Sequence, residues 1–158
     1  DVNSSAGARL ERLQVAWDTL RERPWAGIGI GHFDTAMERL PECRPPAVAV
    51  ARCDLGHAHN DLAEWSATMG IPGSMLLLLV YGLPLWLFAR LHRLGGEPDF
   101  RGPAAAGLML VATFVLCGMT QSMFAHQITA SVYTTLVGLL AGMSVLDAAR
   151  RRQAADQG

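Results

Sequence analysis

His57-Ala58-His59-Asn60-Asp61 places two imidazoles, an amide and a carboxylate within five residues. An imidazole titrates near pH 6.5 (roughly), so it can take a proton from a hydroxyl at neutral pH. Three readings stand side by side at this point. The cluster can hold a general base. It can be a metal site, because imidazole with the carboxylates of Asp54 and Asp61 suits zinc, although the spacing is not that of a common zinc motif. It can equally be the polar start of a helix with a satisfied histidine. Within it, Asn60 either orients His59 or caps the helix, and His57 either partners His59 or is a loop residue.

Three kinds of element must position these groups. Leu10, Leu13, Trp17 and Leu20 recur at helical spacing and predict an amphipathic helix over residues 8–23, stopped by Pro24. A glycine-punctuated turn follows at Gly27, Gly29 and Gly31, then a short helix near Asp34–Leu40 and a Pro-rich loop over about 41–56. The three glycines do not spell a dinucleotide fingerprint, since no strand precedes them and the spacing is wrong. Asp61 and Glu64 read as a helix start in which Asp61 caps and Glu64 answers it. That helix runs towards Gly70-Ile71-Pro72-Gly73, where two glycines and a proline invite a kink or break.

The rest of the chain is apolar. No charged side chain occurs from Trp65 to Ala89, nor from Gly102 to Leu146. A spanning helix needs about 20 mostly apolar residues, so three spans are expected, at about 71–89, 104–122 and 129–147. Between the last two lies a polar turn that contains Gln121, Ser122, His126, Gln127 and Thr129. Arg90, Arg93 and Arg101 fall on the same side as Arg150, Arg151 and Arg152, and positive charge beside a span favours the cytoplasm. Residues 1–68 and the 121–128 turn are therefore expected outside, residues 69–149 in the three spans, and 150–158 in a cytoplasmic tail. Cys43 and Cys53 would then sit in an oxidising compartment, where a disulfide between them is an open possibility. The net charge of −1 and the lack of a basic tract give no reason to expect nucleic acid. The chain starts without Met or a signal peptide, which suggests a piece of a longer polytopic protein.

His59-Asn60, nine residues, then Gly70-Ile71-Pro72-Gly73 resembles the signature of O-antigen ligases. Upstream, Arg9-Leu10-Glu11 and the run Pro24-Trp25-Ala26-Gly27-Ile28-Gly29-Ile30-Gly31-His32-Phe33 are similar to the Arg-x-Glu and Pro-x-x-Gly-x-Gly-x-x-Phe patterns of the same superfamily. The resemblance covers about residues 5–90. It implies an all-α membrane protein, three transmembrane helices with a helical periplasmic loop, as part of a larger GT-C-like polytopic fold in the bacterial inner membrane. The implied activity is that of a glycosyltransferase. It would join O-antigen polysaccharide, carried on undecaprenyl pyrophosphate, to lipid A-core without metal or other cofactor.

By the same resemblance His59 is the catalytic base and Arg9 holds the donor pyrophosphate. A guanidinium suits that task, being always charged and able to grip phosphate oxygens in two places. Arg12, His57 and Asn60 are further candidates for substrate binding. Arg12 either shares the pyrophosphate or is a solvated charge, and Arg44 and Arg52 are candidates for the acceptor's phosphates. An O-antigen polymerase or a protein O-oligosaccharyltransferase would use the same donor with a different acceptor. A membrane transporter or lipid-binding module would explain the spans as well, but should line a path with polar residues. Only Thr113, Thr120, Tyr133, Thr134 and Thr135 offer themselves for that.

Overall fold

Pro24 has no amide hydrogen to continue a helix, and the first helix stops just before it. In the computed structural model, which describes residues 5–44, 53, 56–94 and 102–156, this helix is α1 (Ser5–Glu22). It is followed by α2 (Phe33–Met37), a 3-10 turn at Pro41–Cys43, α3 (Asp61–Leu94), α4 (Gly102–Gly118), a second 3-10 turn at Met123–Ala125 and α5 (Gln127–Ala155). Among the described residues every regular element is helical. Residues 45–52, 54, 55 and 95–101 lie outside that description, and with them Arg52, Asp54 and Arg101.

The chain divides into two units, residues 1–78 with 117–126, and residues 79–116 with 127–158. The core of the first joins Val15 and Ala16 of α1, Phe33, Ala36 and Met37 of α2, and Ala58, Ala63 and Ala67. Small side chains let these segments approach closely, and Phe33 fills the space between them with none of its surface exposed. The expected apolar stripe of α1 is not the face that packs. Leu10 and Trp17 remain 67% and 58% exposed, whereas Arg12, Val15, Ala16 and Thr19 are buried. Positions 12, 15, 16 and 19 also recur at helical spacing, so two adjacent stripes compete, and the one with smaller residues fits against the alanines. Cys43 and Cys53 are joined by a disulfide, with Cα atoms 5.4 Å apart.

The break in α3 is real and its chemistry is legible. Gly70 has φ 68° and ψ −155°, inside what is otherwise one helix. Pro72 cannot donate to the carbonyl of Thr68, four residues earlier, so that oxygen would be orphaned. The Gly29 amide donates to it instead at 2.9 Å, and Ile28 donates to Ala67 at 3.0 Å. Ile71, released from Ala67, donates to the Pro24 carbonyl at 2.7 Å. The approach is too close for a side chain: a Cβ on Gly27 would lie 2.4 Å from the Thr68 carbonyl carbon, and one on Gly70 would lie 2.4 Å from the Pro24 oxygen.

In the second unit, Tyr133 donates to the Val80 carbonyl at 2.9 Å and Tyr81 to that of Phe114 at 3.2 Å. Gly107 receives the Phe88 ring against its backbone, the small-residue packing usual between membrane helices. By length and composition two helices can cross a membrane, α3 and α5. With 17 residues α4 is apolar but shorter, about 25 Å at 1.5 Å per residue, against a hydrocarbon core of about 30 Å.

Candidate functional site

The start of α3 is capped by Asn60. Its Oδ1 accepts the Ala63 amide at 3.0 Å, the bond a helix cap makes, which relieves Asp61 of that task. Asp61 instead accepts the Phe124 amide through Oδ1 at 3.2 Å. Glu64 does not reach back to close a capping box either. Its Oε2 accepts the Ala58 amide at 2.6 Å and the Ser122 hydroxyl at 3.5 Å. The His57–Asp61 loop is thus pinned from both ends, to the first turn of α3 and to the turn that follows α4.

His59 sits at the centre of this arrangement. Its φ of 52° is left-handed, and it is the sole non-glycine residue in that region among those described. Such a conformation costs on the order of 1 kcal/mol and persists where surrounding contacts impose it. Its Nδ1 is 2.5 Å from Gln121 Oε1, and Asn60 Nδ2 donates to the Met119 carbonyl at 3.1 Å. In the sequence Gln121 appears only as part of a polar turn, and Met119 only as a residue near the end of an expected span. That the turn folds onto a loop some 60 residues away has no signature in local spacing.

His57 lies beside these groups without joining the same hydrogen bonds. Its ring meets that of His126 edge-on at 5.0 Å, and its Nδ1 is 4.0 Å from Glu64 Oε1, too far for a hydrogen bond. Burial, with the like charges of His126 and His59 behind it, holds the His57 imidazole below its ordinary pKa. Burial also pushes the Glu64 carboxyl up, partly opposed by the Ala58 amide and Ser122 hydroxyl; Glu64 precedes the break at Gly70. His57 and Glu64 line a cavity of about 370 Å³ whose walls include Trp65, Met69, Leu76 and Phe124.

The arginines lie on a different element. Arg9 is exposed on α1. Arg12 is 4% exposed, which overturns its reading as a solvated charge, and its Nη1 donates to the Ala8 carbonyl at 3.5 Å. Desolvation lowers its pKa, opposed by Glu11. Arg44 is held by its own segment, donating to the carbonyls of Glu38 and Arg39. Among the described residues no three His, Cys, Asp or Glu side chains gather as a metal site would require.

Among the described residues every regular element is helical, two helices are long and apolar enough to cross a membrane, and a hydrogen-bonded histidine loop precedes the first of them, an arrangement compatible with a membrane protein that carries a polar site at one helix start. Residues 1–78 match the family model described as O-antigen ligase, consistent with a fragment of a protein of that membrane-bound family. No curated protein matches the chain. The matched residues contain Arg9, Arg12, the Pro24–Gly31 turn, His57, His59, Asn60 and the break at Gly70.

Proposed function

We propose that the chain is part of a glycosyltransferase that moves O-antigen polysaccharide from undecaprenyl pyrophosphate onto lipid A-core. The observation that carries this reading is the family match over the residues where two motifs interlock. The Pro24–Gly29 backbone fills the break at Gly70, and the helix so fixed presents His59 at its head. In this reading His59 takes the proton of an acceptor hydroxyl. The hydroxyl oxygen forms a bond to the anomeric carbon, the bond from that carbon to the pyrophosphate oxygen breaks, and pyrophosphate leaves with the electron pair. Attack opposite the leaving group inverts the anomeric centre. A positioned base supplies a factor of about 10²–10⁴. Arg9, exposed on α1, is the guanidinium that balances the negative charge the pyrophosphate gains as it leaves. Arg12 serves less directly, since it is buried in the packed face of the same helix.

The same reading places residues 1–68 in the periplasm and three spans, at about 71–89, 104–122 and 129–147, within a larger GT-C-like fold of the inner membrane. Residues 150–158 then form a cytoplasmic tail. The Cys43–Cys53 disulfide supports an oxidising location for the first segment. Of the five polar residues considered for a transport path, Thr120, Tyr133 and Thr134 spend their hydroxyls on backbone carbonyls, which favours packing over transport. Polymerase and protein O-oligosaccharyltransferase activity share the donor chemistry and differ in acceptor.

Expression of the complete protein in a bacterial strain lacking its own ligase separates these acceptors. A restored long-chain lipopolysaccharide ladder is the expected result. Longer lipid-linked polymer without a ladder would mean a polymerase, glycosylated pilin would mean a protein transferase, and none of the three would overturn the proposal.

A further inference from the structure

We infer that Gln121 is a positioning residue for His59, fixing which ring nitrogen carries the proton. The inference rests on the reading of His59 as the base. A neutral imidazole has one N–H donor and one lone-pair acceptor, and an amide oxygen can only accept. With Gln121 Oε1 placed 2.5 Å from Nδ1, the proton belongs on Nδ1 and the lone pair on Nε2. A general base needs that lone pair facing its substrate. The opposite orientation of the amide would put a donor on Nδ1, move the proton to Nε2 and disable the base.

Both partners are held independently of their shared bond. On one side, Asn60 Oδ1 caps α3 and its Nδ2 ties the loop to Met119. On the other, the turn is anchored by the Phe124 amide on Asp61 and by Ser122 against Glu64. Ser122, next to Gln121, is 1% exposed, so the turn cannot swing freely. The left-handed backbone of His59 is then the cost of bringing Nδ1 to the amide. The titratable group that interacts with the ring is His57 on the same loop, and His57 in turn faces His126 on the turn and Glu64 on α3. All of them are unchanged by substituting Gln121.

The test uses the complete protein in membranes, with a saccharide on a lipid pyrophosphate as donor and lipid A-core as acceptor, and rates measured from pH 5 to 9 (roughly). Gln121→Glu keeps an acceptor on Nδ1 and adds a charge that favours the imidazolium. It should retain turnover at high pH and move the acid limb of kcat/KM up by about one pH unit. Gln121→Leu fills the volume without an acceptor and should lower kcat on the order of 10²-fold with KM little changed. A residue 121 that does not meet the His59 ring would leave the acid limb of the Glu variant where it is in the wild type. That result, or a Leu variant of wild-type kcat, overturns the inference. His59→Ala in parallel separates the two levels. Activity retained there removes the base reading and this inference with it, whereas loss there beside an active Gln121→Leu removes the inference alone.

Discussion

The unit of residues 1–78 with 117–126 and the unit of residues 79–116 with 127–158 are built by different rules. In the first, position is set by backbone amides and carbonyls meeting across distant segments, at contacts that only glycine, proline or a short polar side chain allows. In the second, apolar helices meet through small residues and two tyrosine hydroxyls. The contrast in its glycines is direct. Gly70 is left-handed with a carbonyl oxygen where a Cβ would go, whereas Gly82 has open space around it. Backbone-to-backbone contacts of the first kind can hold a side chain to a fraction of an ångström, whereas apolar helices of the second kind suit an apolar medium.

Substitution at those two glycines should separate the two units most widely. Gly70→Ala combines backbone strain with a clash, and a loss of about 3 kcal/mol or more is expected in thermal unfolding of the detergent-solubilised protein. Gly82→Ala should cost nothing and can add a few tenths of a kcal/mol through helix propensity. Equal losses at both would erase the distinction. Next in size is Cys43→Ser, which opens a loop of ten residues' separation. The chain-entropy account puts its cost at about 2–3 kcal/mol, read as a lower melting temperature that reductant reproduces in the wild type. In the second unit, Tyr133→Phe removes the hydroxyl bond to the Val80 carbonyl, and about 0.6–1 kcal/mol is expected.

The smallest effect concerns pH. His57 has its pKa lowered in the fold, so below about pH 6.5 the unfolded chain binds more protons there and stability falls as pH falls. Melting His57→Gln and wild type at neutral and mildly acidic pH should show a shallower loss in the variant. An identical slope would mean that His57 is not the group responsible.

How far the sequence leads depends on what each residue must do locally. The histidine, the asparagine cap and the break before Pro72 are legible, because proline's missing amide and glycine's left-handed freedom act within one turn of helix. The filling of that break by residues 24–29 is not, since backbone hydrogen bonds leave no side-chain mark beyond the glycines themselves. The face of α1 is misjudged for a different reason. Two stripes share helical spacing, and hydrophobicity favours Leu10, Leu13 and Trp17, while the close approach of Ala63 and Ala67 favours Val15 and Ala16. Arg12 follows its stripe inward, which charge alone argues against. Gln121 is the residue least visible in advance, because its significance comes from a contact with His59 that spans most of the apolar sequence.

The most direct test of the central claim is His59→Ala in the complete protein, expressed in a strain without its own ligase, with lipopolysaccharide resolved on a gel. With His59 as the base, the long-chain ladder disappears while protein level stays normal and lipid-linked polymer accumulates. A ladder of wild-type intensity from that variant would contradict the assignment of His59 as the base.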